Sequence, residues 1–179
     1  MMGKVLSYCN IECTSEQVVE IFRSLKMDYP KFFKMDSLSR LGVVAAEKVL
    51  RSAGYTPEEP KEDMSIVLFN SVSCMDNDVA FQKGLSEDNF YPSPSLFVYT
   101  LSNIVCGEIA IRNKILGETS FFVSECYDEE YLAEKVAWAF RDKQIKRVLC
   151  GYVDSFDGRA CAHMFLVEEG VKANEFKIK

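Results

Sequence analysis

The residues best suited to chemistry lie in GETSFFVSECYDEE, positions 117–130. A glycine opens a short apolar run, Phe121-Phe122-Val123, and Cys126 follows, just ahead of Asp128, Glu129 and Glu130. A strand that ends in a cysteine at the mouth of a helix offers its thiol to free N–H groups and to the positive end of the helix dipole. Both favour a thiolate. The same turn also carries carboxylates, with Glu125 immediately before the thiol, and their like charge opposes a thiolate and any anionic substrate. Cys126 is therefore the candidate nucleophile, set against the plainer reading of an inert thiol.

The other reactive side chains read more simply. His163, the one histidine, stands beside Met164 and Phe165 on a strand with no triad pattern around it, and so reads as a core or surface histidine. Asp154 and Asp157 flank a tight turn, where short acids cap backbone groups. Asp128, Glu129 and Glu130 complement the dipole of the helix they open. Asn103 and Gly107 read as helix-packing residues, the glycine permitting close backbone approach.

Seven cysteines, at 9, 13, 74, 106, 126, 150 and 161, sit mostly in apolar context, as in Leu149-Cys150-Gly151. They read as small hydrophobes of a reduced, cytoplasmic protein rather than a disulfide framework. No CxxC occurs, and Cys9 and Cys13 have no histidine nearby, so neither a metal nor a cofactor is expected. A net charge of -6 and pI near 5.0 argue against nucleic-acid and membrane-surface partners, which need clustered Lys and Arg.

The elements that must position these groups follow from periodicity. Strands are expected at 4–12, 64–70, 119–125, 145–153 and 160–168. Thr14 and Gln17 make a capping box for a helix through Leu25. The wide apolar face of 35–54, capped by Asp36 or Ser37 and ended by Gly54, suits a helix buried against a sheet. A short helix at 77–85, a loop at 89–95, one long apolar helix at 96–116 and an amphipathic helix at 128–142 complete the set. The order β-α-α-β-α-α-β-α-β-β gives an α/β fold, a five-stranded mixed sheet with helices on both faces. Residues 1–170 read as a single domain and 171–179 as a charged tail that frays.

Four stretches carry a family likeness. PSPSLFVYTLSNIVCGEIAIRNKILG holds Asn103, Gly107 and Ala110-Ile111-Arg112 on a helix that ends before a glycine. The next strand closes on Val123-Ser124-Glu125-Cys126, and VLCGYVDS follows at 148–155. Together with the helix MDSLSRLGVVAAEKVLRSAG, these resemble the N-terminal half of a β-ketoacyl-acyl carrier protein synthase, of the thiolase superfamily. The likeness spans about residues 30 to 168, and 99 to 126 is its specific part.

The resemblance implies a half-thiolase fold, with Cys126 at the place of the acyl-accepting nucleophile. It implies that strand 119–124 pairs with its counterpart across a dimer axis. In the family, a second half supplies two histidines and a lysine; this chain is expected to stop before that half, and His163 corresponds to neither histidine. Glu125 and Tyr127 stand where the family prefers small residues. The expected function is an auxiliary or non-catalytic subunit in fatty-acid or polyketide-type synthesis. Its partners would be a second copy or a full-length synthase, with acyl carrier protein as a further one. The alternative is a 3-oxoacyl-acyl carrier protein synthase subunit acylated on Cys126, whose histidines come from a partner chain.

Overall fold

The computed structural model describes residues 4–85 and 93–177. Five strands form one sheet: β1 Val5–Thr14, β2 Met64–Asn70, β3 Thr119–Val123, β4 Arg147–Phe156 and β5 Arg159–Glu168, in the order β1-β5-β4-β2-β3. β2 runs parallel to β3 and β4, whereas β5 runs antiparallel to β4 and β1. The described helices are α1 Ser15–Ser24, α2 Ser37–Ser52, α3 Met75–Lys83, α4 Pro94–Val98, α5 Ile104–Asn113 and α6 Glu129–Ala139. The α/β class and the five-stranded mixed sheet are as expected.

β2, flanked by β4 and β3, is buried along its whole length. A parallel strand with helices on both faces is apolar throughout rather than alternating. On one face α1, α2 and α5 bury Val18, Leu41, Val44 and Ile109 against Ile66, Leu68 and Leu149. On the other, α6 and a C-terminal 3-10 turn, Ala173–Phe176, bury Leu132, Val136 and Phe176 against Val67, Phe69 and Phe165.

Local signals explain the boundaries. Thr14 and Gln17 form the reciprocal capping box of α1, at 3.3 and 2.9 Å. Asp36 caps α2 by accepting from the Ser39 N–H at 3.0 Å. Asp157 and Gly158, both at positive φ, make the two-residue turn between β4 and β5. Within α2, Glu47 is buried and receives Arg51 one turn on and Arg112 from α5. Two guanidinium groups thus balance one buried carboxylate and tie the two helices together.

Four expectations change. The long helix at 96–116 is two helices, α4 and α5, separated by residues 99–103. Thr100 Oγ1 donates back to the Phe97 carbonyl at 2.7 Å, the local bonding by which hydroxyl side chains compete with a helix. At the far end Lys114 takes the left-handed conformation, φ 51°, so α5 stops before Gly117. Gly117 is needed for another reason: a Cβ there would lie 2.3 Å from the Met64 carbonyl oxygen.

Close helix approach belongs to Gly42 in α2, whose added Cβ would meet Val105 of α5 at 2.3 Å, and not to Gly107, which has nothing within 4 Å among the described residues. Gly107→Ala should therefore add about 0.5–1 kcal/mol through helix propensity alone. A thermal melt raised by a few degrees checks it; a lowered one would reveal a contact at that face.

The charged tail does not fray as a whole, because Phe176 is fully buried and stacks edge-on against Phe165 at 5.3 Å. Asp154 lies in β4 rather than capping a turn: it accepts from Ser71 and Tyr152. Of the loop expected at 89–95, residues 89–92 lie outside the described residues, while Ser93 caps α4 by accepting from the Leu96 N–H.

Candidate functional site

Cys126 lies where β3 hands over to α6, on the turn 124–128, and its side chain is exposed. The mouth of α6 is already occupied. Asp128 is the N-cap, and its Oδ1 accepts from the N–H groups of Glu130 and Tyr131 at 2.8 and 3.0 Å. Those donors are the groups that would otherwise steady a thiolate or an oxyanion. The acids of this turn thus do more than complement the dipole, since one of them takes up its N–H groups.

Tyr127 turns the other way, into the sheet. Its ring stacks on Phe69 at 5.9 Å, and its hydroxyl donates to the Phe176 carbonyl at 2.5 Å. Burial raises the Tyr127 phenol well above its ordinary value, with Glu129 adding to the effect. It stays a neutral donor and serves as a structural pin between α6 and the C-terminal turn.

His163 is not beside Cys126 in any bonded sense: its ring is engaged on β5. Nε2 lies 3.2 Å from Cys161 Sγ, Nδ1 lies 3.3 Å from Asn10 Oδ1, and Tyr127 covers the ring edge-on at 5.4 Å. Burial lowers the His163 pKa, partly offset by Glu12, so the imidazole is neutral near pH 7. Burial pushes the Cys161 thiol up to about 11, and Glu12 and Asp154 push the same way.

These groups form two rows across the α6 face of the sheet. Glu12, Cys161 and Asp154 are register neighbours on β1, β5 and β4, and Asn10, His163 and Tyr152 are the next row. Sequence reasoning missed this array. The Cys161-x-His163 spacing was the available signal, since residues two apart on a strand share a face. Glu12 joins them only through the pairing of β1 with β5.

Asn103 begins α5 without a side-chain cap. β3 is the edge of the sheet: its inner side bonds to β2, with Ile66 N–H donating to the Glu118 carbonyl and Ser124 N–H to that of Asn70. Parallel pairing alternates, so the N–H and C=O groups of Thr119, Phe121 and Val123 point outward. Val123 in β3, Ile111 in the neighbouring α5, and Phe97 and Leu101 ahead of it are exposed apolar side chains. Among the described residues, no helix is long and apolar enough to cross a membrane.

The sheet order, with helices on both faces and a strand-Cys-helix turn at its edge, defines a half-thiolase-like α/β domain. The chain belongs to the family described as "Beta-ketoacyl synthase, N-terminal domain", which matches residues 22–155, about three quarters of its length. Similar solved structures include the ishigamide ketosynthase/chain length factor, at TM-score 0.69 and 15% identity, covering 94% of this chain and 62% of that one. A ketosynthase in complex with its chain length factor from Xenorhabdus doucetiae matches at TM-score 0.61 and 13% identity, over 96% and 80%. A type II polyketide synthase acyl carrier protein in complex with its ketosynthase matches at 0.65 and 12%, over 93% and 62%. The chain thus spans under two thirds of the first of these. At such identities the likeness is one of fold. No match was found among curated proteins.

Proposed function

We propose that this protein is an auxiliary, non-condensing subunit of fatty-acid or polyketide-type synthesis, which pairs through strand 119–124 with a second copy or with a full-length synthase. The observation that carries the reading is the mouth of α6. Asp128 consumes the backbone donors that an acyl-accepting thiol would use, and the single histidine is committed to Cys161 and Asn10. Pairing is supported by β3, an edge strand with outward backbone groups beside exposed apolar side chains, a surface that soluble proteins ordinarily cover or blunt. The ketosynthases named above, one of them in complex with a chain length factor, supply the precedent for such a partner. Acyl carrier protein is a second partner on the same grounds.

Two measurements test this. Incubation with an acyl donor, or with a cysteine-directed inhibitor of condensing enzymes, should leave no selective mass adduct on Cys126, with or without a partner synthase. Rapid labelling confined to Cys126 would replace this reading with the acylated-subunit alternative. Light scattering after size exclusion should report a dimer at micromolar protein. Thr119→Pro and Val123→Pro remove outward donors and leave the β2 ladder intact, so each should shift the protein toward monomer. A monomeric parent protein would remove the homodimer, and failure to bind a synthase as well would remove the pairing role.

A further inference from the structure

β1 and β5 bring Glu12, Cys161 and His163 together on the α6 face of the sheet, with β4 and β2 between them and β3. A carboxylate oxygen, Sγ and a ring nitrogen all lie within 4.8 Å of one another, and the Sγ to Nε2 distance is 3.2 Å. Tetrahedral metal sites with bonds of about 2.0–2.3 Å place their donor atoms about 3.3–3.7 Å apart. Small side-chain rotations therefore separate this arrangement from a coordination sphere.

Three further observations fit a ligand site. Asn10 Oδ1 faces His163 Nδ1, and an amide oxygen can only accept. The proton is thereby assigned to Nδ1, and the Nε2 lone pair points at Cys161. Holding the far nitrogen of a ligating histidine with a polar group is the usual outer support of a metal site. Exposure grades from buried His163 through Cys161 to exposed Glu12, which leaves an entry path from solvent. On the other side of Cys161, Asp154 keeps Oδ1 buried with no hydrogen-bond partner among the described residues. It can accept from a water held in the open position of an ion.

We propose that Glu12, Cys161 and His163 form a binding site for a divalent transition-metal ion of the zinc type. One sulfur, one nitrogen and one oxygen donor suit an ion of intermediate softness, with water in the fourth position. On binding, the Cys161 S–H bond breaks and its proton goes to solvent. The thiolate and the Glu12 carboxylate then neutralise the two positive charges, while neutral His163 gives its Nε2 lone pair. Nothing is oxidised or reduced.

The test is titration of the reduced full chain with Co²⁺. The expected result is one equivalent bound, with a thiolate-to-cobalt charge-transfer band, intense visible bands of a tetrahedral ion, and displacement by Zn²⁺. Cys161→Ser should abolish the charge-transfer band. Glu12→Gln, at an exposed position on an edge strand, and Asn10→Ala should each weaken binding about 10–100-fold. Cys126→Ser should change nothing. Absence of stoichiometric binding in the parent protein overturns the site, as does a band that survives Cys161→Ser and vanishes in Cys126→Ser. Undiminished affinity in Glu12→Gln overturns the three-ligand assignment.

Discussion

Gly151→Ala is expected to destabilise the fold by at least about 3 kcal/mol, and to leave much of the protein insoluble on expression. Gly151 sits mid-strand in β4 at φ 151°, and an added Cβ would lie 2.0 Å from the His163 carbonyl oxygen and 2.8 Å from Met164 Cα. Both obstacles are backbone of the neighbouring strand β5, so no rotamer change can relieve them. An L side chain also strains at this φ, at about 1–3 kcal/mol, and overpacking a closed interior adds about as much again. Domains of this kind are stable by only about 5–15 kcal/mol, so such a loss is a large share of the whole. For a chain of this size it lowers the melting temperature by roughly 6–12 °C or more. The contrast with Gly107→Ala is the informative part: the same substitution should stabilise at one glycine and destabilise at the other. Equal effects at the two sites would refute the packing described for β4.

Phe176→Ala is the second large effect, expected at about 3 kcal/mol. The ring is fully buried against Phe165, in the cluster that includes Leu132, Val136 and Val167. Buried Phe→Ala substitutions cost about 3–5 kcal/mol. The lower end applies because the segment 173–176 can undock locally, and the loss cannot exceed its docking free energy by much. Undocking would also free the Tyr127 hydroxyl, which donates to the Phe176 carbonyl. Thermal melts, with hydrogen exchange at α6 and β5, check the prediction, and exposed Lys177→Ala serves as the neutral control. A melting temperature unchanged by Phe176→Ala would return 171–177 to the status of a loose tail.

Much of the scaffold was legible because local chemistry agreed with the global fold. The Thr14–Gln17 capping box, the apolar run of β2, the Asp157-Gly158 turn and the Asp36 cap are short-range signals, and each stands where its pattern points. The family likeness was legible for a similar reason, since residues 99–126 join a helix, a strand and a cysteine at fixed spacing. What escaped depends on contacts distant in sequence. Gly42 rather than Gly107 receives the neighbouring helix, which only the α2–α5 crossing decides. The Glu12, Cys161 and His163 cluster needs β1 laid beside β5. Phe176 is one aromatic in a charged segment, and periodicity has no purchase on a single residue. At the candidate site, the position of Cys126 was plain, but the reach of the Asp128 carboxylate to two N–H groups was a matter of geometry.

The pairing of β1 with β5 also has a consequence for the order in which the molecule can assemble. β1 is synthesised before the other strands described, yet its sheet neighbour among the described residues is β5, the last of them. The β4–β5 hairpin can form early and locally, but closing β1 onto it spans nearly the whole sequence, and contacts of such long range are slow to form. During synthesis, β1 must wait with Cys9 and Ile11 uncovered by the sheet until β5 has left the ribosome. That interval is when an unpaired strand is open to wrong partners. The opposite edge, β3, is not so delayed: β2 precedes it and offers a ladder at once. The two edges of this sheet are thus set at different times, the one proposed to bind another subunit well before the one that closes the fold.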